Sequence, residues 1–225
     1  LTLANGTNSL TTTDVETVIG GTGDDTLTLT TITTNGTYSL GAGNDKITLA
    51  NANNVLADSN IETIVGVAGD DTVSFNAAIS GGIVDLGGGT DQLNLADGAN
   101  VVTATGVEAI VGNSGADTVT ITDAMASGST VDLGDGSSDA LVLLGNGNTL
   151  TVSGTESLTG STGNDLVTLG AGISGATFNL GAGTDTLTLS LGNHTLTVNN
   201  VESVLGDGGT DAITFANVVT AGSYD

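Results

Sequence analysis

The sequence predicts an all-β chain, a right-handed parallel β-roll or β-solenoid of about nine coils. Three observations predict it: glycine-aspartate turns recurring in strict register, apolar residues alternating with period two after each turn, and a composition unsuited to a thick globular core.

The turns come in two types. The first reads VETVIGGTGDD at 15–25 and returns at 61–71, 107–117, 155–165 and 201–211. Its terminal aspartates are Asp25, Asp71, Asp117, Asp165 and Asp211, spaced 46, 46, 48 and 46. The second reads YSLGAGND at 38–45 and returns at 84–91, 131–139 and 178–185, ending on Asp45, Asp91, Asp139 and Asp185. Successive aspartates thus lie alternately about 20 and 26 residues apart in a 46-residue repeat, and all nine positions hold Asp. Short and long coils are expected to alternate, with one turn in each.

After each Asp the pattern is x-U-x-U, with U apolar: Leu27 and Leu29, Ile47 and Leu49, Val73 and Phe75, on to Ile213 and Phe215. Such alternation marks a half-buried strand. Each short interval is broken by small residues, Asn35-Gly36, Ser80-Gly81-Gly82, Ser127-Gly128 and Ser174-Gly175, predicting strand, turn, strand. Nine coils at the strand spacing would stack to roughly 40–45 Å, and parallel crossovers favour the right-handed sense. Residues 1–225 read as one solenoid segment cut in phase from a longer array, since Leu1-Thr2-Leu3 matches Ile47-Thr48-Leu49 and Tyr224 matches Tyr38.

Composition agrees. The 225 residues include 36 Gly and no Pro or Cys, and aromatics make up only 2% against 38% hydrophobic, so the core is built of thin Val, Leu and Ile layers. A formal charge of −24, from 25 acidic residues and one base, Lys46, repels nucleic acid and anionic membranes. No apolar run is long enough to insert in a membrane as a helix.

Turns of the form G-x-G-x-D suit a hard cation. Glycines turn backbone carbonyls inward and Asp adds carboxylate oxygen. The expected donors are Asp25, Asp45, Asp71, Asp91, Asp117, Asp139, Asp165, Asp185 and Asp211, with the carbonyls of Gly23, Gly43, Gly69, Gly89, Gly115, Gly136, Gly163, Gly183 and Gly209. Without Cys and with a single His, zinc is excluded as the natural metal. Stacked carboxylates repel unless a cation lies between them, so about eight Ca2+ ions are expected, one between successive turns.

Gly20-Gly21-Thr22-Gly23-Asp24-Asp25-Thr26-Leu27-Thr28 resembles the hemolysin-type (RTX) nonapeptide repeat G-G-x-G-x-D-x-U-x position by position. The spacing departs from tandem nonapeptides and is similar to that of bacterial surface adhesins with one calcium turn per coil, which implies a single calcium edge. The resemblance further implies a secreted bacterial protein, exported through a type I channel and folding in external calcium. Members of the wider family include adhesins, S-layer proteins, toxins, proteases and lipases.

Other residues invite sharper readings. Glu16, Glu62, Glu108, Glu156 and Glu202 share one repeat position, fitting either a cap on backbone amides or a second cation site. His194 stands in a column otherwise filled by Asn8, Asn54, Asn100 and Asn148, which speaks for a structural part. Gly170-Ala171-Gly172-Ile173-Ser174-Gly175 matches a dinucleotide fingerprint, but no helix pattern follows it. Outward Thr pairs such as Thr26 and Thr28 suit ordinary strand propensity or an ice-like water lattice. Asn-x-Thr at Asn5, Asn35 and Asn193 would accept glycans only in a secreted eukaryotic protein.

The function expected is a calcium-stabilised structural or adhesive rod of a bacterial cell surface, extracellular matrix or filament. End-to-end or lateral self-association is a possible partner mode. The alternatives are the secretion module of an exported enzyme or toxin and, third, an ice-binding solenoid. No enzyme is expected from one His, no Cys and a thin solenoid.

Overall fold

The computed structural model describes residues 1–206, 208–217 and 222–224. Asp207, inside the last of the first-type turns, lies outside the described residues. The described residues contain strands and no helix, and they divide into two compact units, Leu1–Val111 and Gly112–Asp225.

Unit 1 holds β1 (Ser9–Thr12), β2 (Thr17–Ile19), β3 (Thr26–Leu29), β4 (Thr34–Ser39), β5 (Lys46–Thr48), β6 (Val55–Ser59), β7 (Thr63–Val65), β8 (Thr72–Phe75), β9 (Ser80–Asp85), β10 (Gln92–Asn94), β11 (Val101–Thr105) and β12 (Ala109–Val111). Odd strands pair in order in one sheet and even strands in the other, all parallel. Unit 2 repeats the plan with β13 (Thr118–Ile121), β14 (Ser129–Asp132), β15 (Ala140–Leu143), β16 (Thr149–Ser153), β17 (Ser157–Thr159), β18 (Leu166–Leu169), β19 (Ser174–Asn179), β20 (Thr186–Thr188), β21 (Thr195–Asn199), β22 (Ser203–Leu205), β23 (Ala212–Phe215) and β24 (Ser223–Tyr224). One strand from each sheet makes a coil, so the all-β parallel solenoid is as the sequence predicts.

The coil count exceeds nine, and the reason lies in the long interval. From Asp25 to Asp45 the chain passes through β3 and β4, one coil. From Asp45 to Asp71 it passes through β5, β6 and β7, one coil and a half. A 46-residue repeat therefore contains five strands, and five is odd. Equivalent strands one repeat apart fall in opposite sheets, as β2 and β7 do in unit 1 and β17 and β22 in unit 2.

Between the sheets lies a thin aliphatic core. Leu27, Ile47, Val73, Leu93, Val119, Leu141, Val167 and Leu187 are all fully buried, and they pair across neighbouring coils, Leu27 with Ile47, Val73 with Leu93, Val119 with Leu141 and Val167 with Leu187. Burying each such side chain is worth about 1.5–3 kcal/mol. The x-U-x-U reading holds until the end of the chain, where Ile213 is half-buried and Phe215 exposed. Phe215 packs edge-on to Tyr224 there, ring centroids 4.7 Å apart.

The small-residue breaks differ from expectation at three of their four positions. Asn35-Gly36, Ser80-Gly81-Gly82 and Ser174-Gly175 lie inside β4, β9 and β19, where the pairing register slips by one residue. They are bulges; Asn35 (φ 85°) occupies the left-handed region that such an insertion requires. The turns proper come just before them.

Candidate metal-binding edges

Because strands alternate between sheets, each unit has two edges. In unit 1, Asp25 (between β2 and β3) and Asp45 (between β4 and β5) lie on one edge, while Asp71 (between β7 and β8) and Asp91 (between β9 and β10) lie on the other. In unit 2, Asp139 and Asp211 follow even strands and Asp165 and Asp185 follow odd ones. The expected single edge is thus corrected to two. The half coil in each long interval carries the next turn across the solenoid.

The turns stack in pairs whose backbones bond to each other. Gly23 N–H donates to Ala42 O (2.6 Å) and Ala42 N–H to Gly21 O (3.0 Å). Gly69 donates to Gly88 O (2.9 Å), Asp135 to Asn113 O (2.8 Å) and Ala182 to Ser161 O (3.0 Å) in the other three pairs. Glycine is needed for this closeness. At Gly87, φ is 87° and an added Cβ would lie 2.5 Å from the carbonyl oxygen of Val67 in the turn stacked against it.

A ladder of amide-to-carboxylate bonds runs up each edge. Asn8 N–H and Nδ2 donate to Asp25 Oδ1 (2.8 and 2.7 Å), and Asp25 N–H donates to Asp45 Oδ1 (2.7 Å). Asp45 N–H then donates to Glu62 Oε2 (2.8 Å). The same run joins Asn54, Asp71, Asp91 and Glu108, and again Asn148, Asp165, Asp185 and Glu202. Asp117 N–H donates to Asp139 Oδ1 and Asp139 N–H to Glu156 Oε2. An outer ladder reinforces it: Asn44 N–H bonds Asp24 Oδ1 and Thr90 N–H bonds Asp70 Oδ1.

The aspartates that form the ladder are at most 2% exposed from Asp25 to Asp185. One oxygen of each accepts the ladder bond. The other, Oδ2, is buried without a protein donor on Asp25, Asp45, Asp71, Asp91, Asp139 and Asp185. Burial pushes Asp91 and Asp185 up to about 6; the N–H donors oppose this, and the neighbouring aspartate and glutamate carboxylates add to it. Asp45, Asp71 and Asp139 are raised in the same direction, burial again being the largest cause.

Orphaned, buried, anionic oxygens inside turns of backbone carbonyl fit a hard divalent cation. Among the described residues no three His, Cys, Asp or Glu side chains gather closely enough to hold an ion by themselves. Turn carbonyls would complete a shell of the six to eight oxygens that calcium takes.

The RTX calcium-binding nonapeptide repeat (4 copies) matches residues 10–29 and 151–172. In these two stretches the chain is similar to RTX calcium-binding repeats. The two matched stretches contain the Asp25 and Asp165 turns, and the other seven aspartates reach the same register through the solenoid. Comparison with curated proteins finds no match, and comparison with solved structures finds none.

The columns read from the sequence now have places. Four of the five glutamates cap the N–H of a second-turn Asp, which settles one of their two readings. Asn54 ties its turn together, donating to Ala50 O (2.9 Å) and Ala52 O (2.7 Å) as well as to Asp71. His194 replaces such an Asn: its Nδ1 faces Ile173 N–H (3.3 Å) and its Nε2 faces Ser190 O (3.1 Å), a structural part in a buried site. Residues 170–173 join β18 to β19, which opens on Ser174-Gly175, and no helix follows, so the nucleotide fingerprint has no structural support. The outward Thr row of the odd sheet in unit 1 is interrupted, Thr26 pairing with Lys46, Lys46 with Thr63 and Thr63 with Ile83.

One residue of note was not singled out from sequence. Asp58 is fully buried in β6, and no protein group bonds either carboxylate oxygen. Burial raises it well above the usual carboxylate range. Its repeat equivalents are Thr12, Ala104, Val152 and Val198, a column that calls for an apolar side chain.

Proposed function

We propose that calcium binds between the two turns of each stacked pair, Asp25 with Asp45, Asp71 with Asp91, Asp117 with Asp139 and Asp165 with Asp185, and that it staples a structural or adhesive element of a secreted bacterial surface or extracellular protein. The Oδ2 atoms buried without a protein donor on Asp25, Asp45, Asp71, Asp91, Asp139 and Asp185 carry the reading. One ion between every two successive turns is not compatible with the fold, since Asp45 and Asp71 lie on opposite edges. Asp211, beyond the pairs, would need a further turn.

The thin core and the charge of −24 make the ion's contribution decisive. Each coil is clamped only to its neighbours, so metal between coils opposes their separation. Secretion into a calcium-rich exterior would then couple export to folding. The same features serve a secretion module attached to an exported enzyme or toxin. A catalytic domain elsewhere in the same polypeptide would favour that alternative.

Stretching single molecules tests the mechanical part of the proposal. Calcium should raise the unfolding force severalfold over EDTA, and equal forces in both would remove the case for a calcium-stapled element.

A further inference from the structure

The glutamate column does more than cap an amide. In each pair, the first Asp donates its N–H to the carboxylate of the second, and the second donates its N–H to the carboxylate of the Glu, at 2.7–2.8 Å in every case. The Glu carboxylate therefore stands to the second turn as the second Asp stands to the first. Its backbone is fixed there too. Glu62 and Thr63 N–H both donate to Asp45 O (3.1 and 3.0 Å), and the pattern repeats at Glu108, Glu156 and Glu202.

The bend before β7 has no glycine loop, so a side chain one methylene longer than Asp is what spans the gap. On the other side of that gap lie the second-turn aspartates Asp45, Asp91, Asp139 and Asp185. All are at most 1% exposed, and each has its Oδ2 buried without a protein donor. In the Asp139 turn the carboxylate fills the space that a Cβ on Gly136 would take, beside Gly115 O, so it faces back to the first turn and leaves the Glu156 carboxylate as the acidic group on the other side of the second.

We propose that Glu62, Glu108, Glu156 and Glu202 each close a second calcium position on their edge, between the second turn and the Glu bend. Each two-turn motif then takes two ions. Four motifs with two ions each give eight, the same total as one ion between successive turns but in a different arrangement. The inference rests on the calcium reading above. It goes beyond it in giving the glutamates a direct part in metal binding.

Calorimetric titration of the chelator-stripped full chain with CaCl2 tests it. The wild type should bind about eight ions. Glu108→Gln keeps an oxygen for Asp91 N–H but removes the charge, so it should weaken one site at least tenfold while leaving the far-UV circular dichroism in saturating calcium unchanged. Glu202→Gln should do the same independently, and the two together should weaken two sites. A wild-type stoichiometry near four, or single variants that bind as many ions as tightly as the wild type, would overturn the proposal and leave the four inter-turn sites standing. A wild type that binds no calcium would instead sink the calcium reading itself.

Discussion

Acid should stabilise the calcium-free chain. Asp91 and Asp185 titrate at about 6 in the fold against 3.8 for the free side chain, a difference of about 2 units. At 1.36 kcal/mol per unit this is at most about 3 kcal/mol each, and nearer 1–2 kcal/mol once solvent at the solenoid edge screens the charges. Because the folded-state values are raised, the fold has its full stability below the unfolded value near 3.9. It loses that stability as pH climbs through about 6, where the folded chain binds more protons than the unfolded one. Asp45, Asp71, Asp139 and Asp58 shift in the same direction and steepen the slope. Far-UV circular dichroism of metal-free protein should show more β-structure, and more resistance of it to urea, at pH 4.5 than at pH 7.5, and the double variant Asp91→Asn/Asp185→Asn should flatten the difference. Equal or greater metal-free stability at pH 7.5 would show that the edge carboxylates are not buried against one another as described.

Three further outcomes follow from single side chains. Asp58→Val replaces a buried carboxyl without a protein donor by the residue found at Val152 and Val198, and should stabilise the chain by about 1–3 kcal/mol in chemical melts with calcium present; a destabilised variant would place an unrecognised partner at that carboxyl. Leu141→Ala, in the fully buried core of unit 2, should cost about 2–5 kcal/mol in the same melts, and a loss under 1 kcal/mol would mean that the layer is looser than its burial indicates. Gly23→Ala puts a Cβ 2.8 Å from the carbonyl carbon of Gly6 at a φ of 107°, so calcium titration should show a weakened Asp25 edge, whereas an unaltered isotherm would contradict the close stacking of the turns.

The strands and the turn aspartates were legible because both are written in short range. Period-two alternation at Leu27 and Leu29 announces burial directly, and Asp25 ends a turn whose glycines have one conformational use. The edge on which each turn lies was not legible, because it depends on whether the 26 residues from Asp45 to Asp71 hold two strands or three. Thr63–Val65 is only three residues long and sits inside the turn motif itself, so its strand character is hidden by the glycines that follow. The ladder from Asn54 to Glu108 crosses coils about 17–20 residues apart, and only the stacking register shows that the Asn and Glu columns belong to the same hydrogen-bonded run. The Asn column did carry a signal, in its fixed offset of 17 residues before the first-type Asp, as from Asn8 to Asp25 and from Asn54 to Asp71.

The most direct measurement is a calcium titration of the chelator-stripped chain at pH 7.5, followed by far-UV circular dichroism. Calcium should convert a largely disordered spectrum into a β-rich one that saturates as the edge sites fill, and EDTA should reverse it. A spectrum equally β-rich in EDTA, with the same thermal midpoint in both conditions, would contradict the claim that ions between the stacked turns hold this solenoid together.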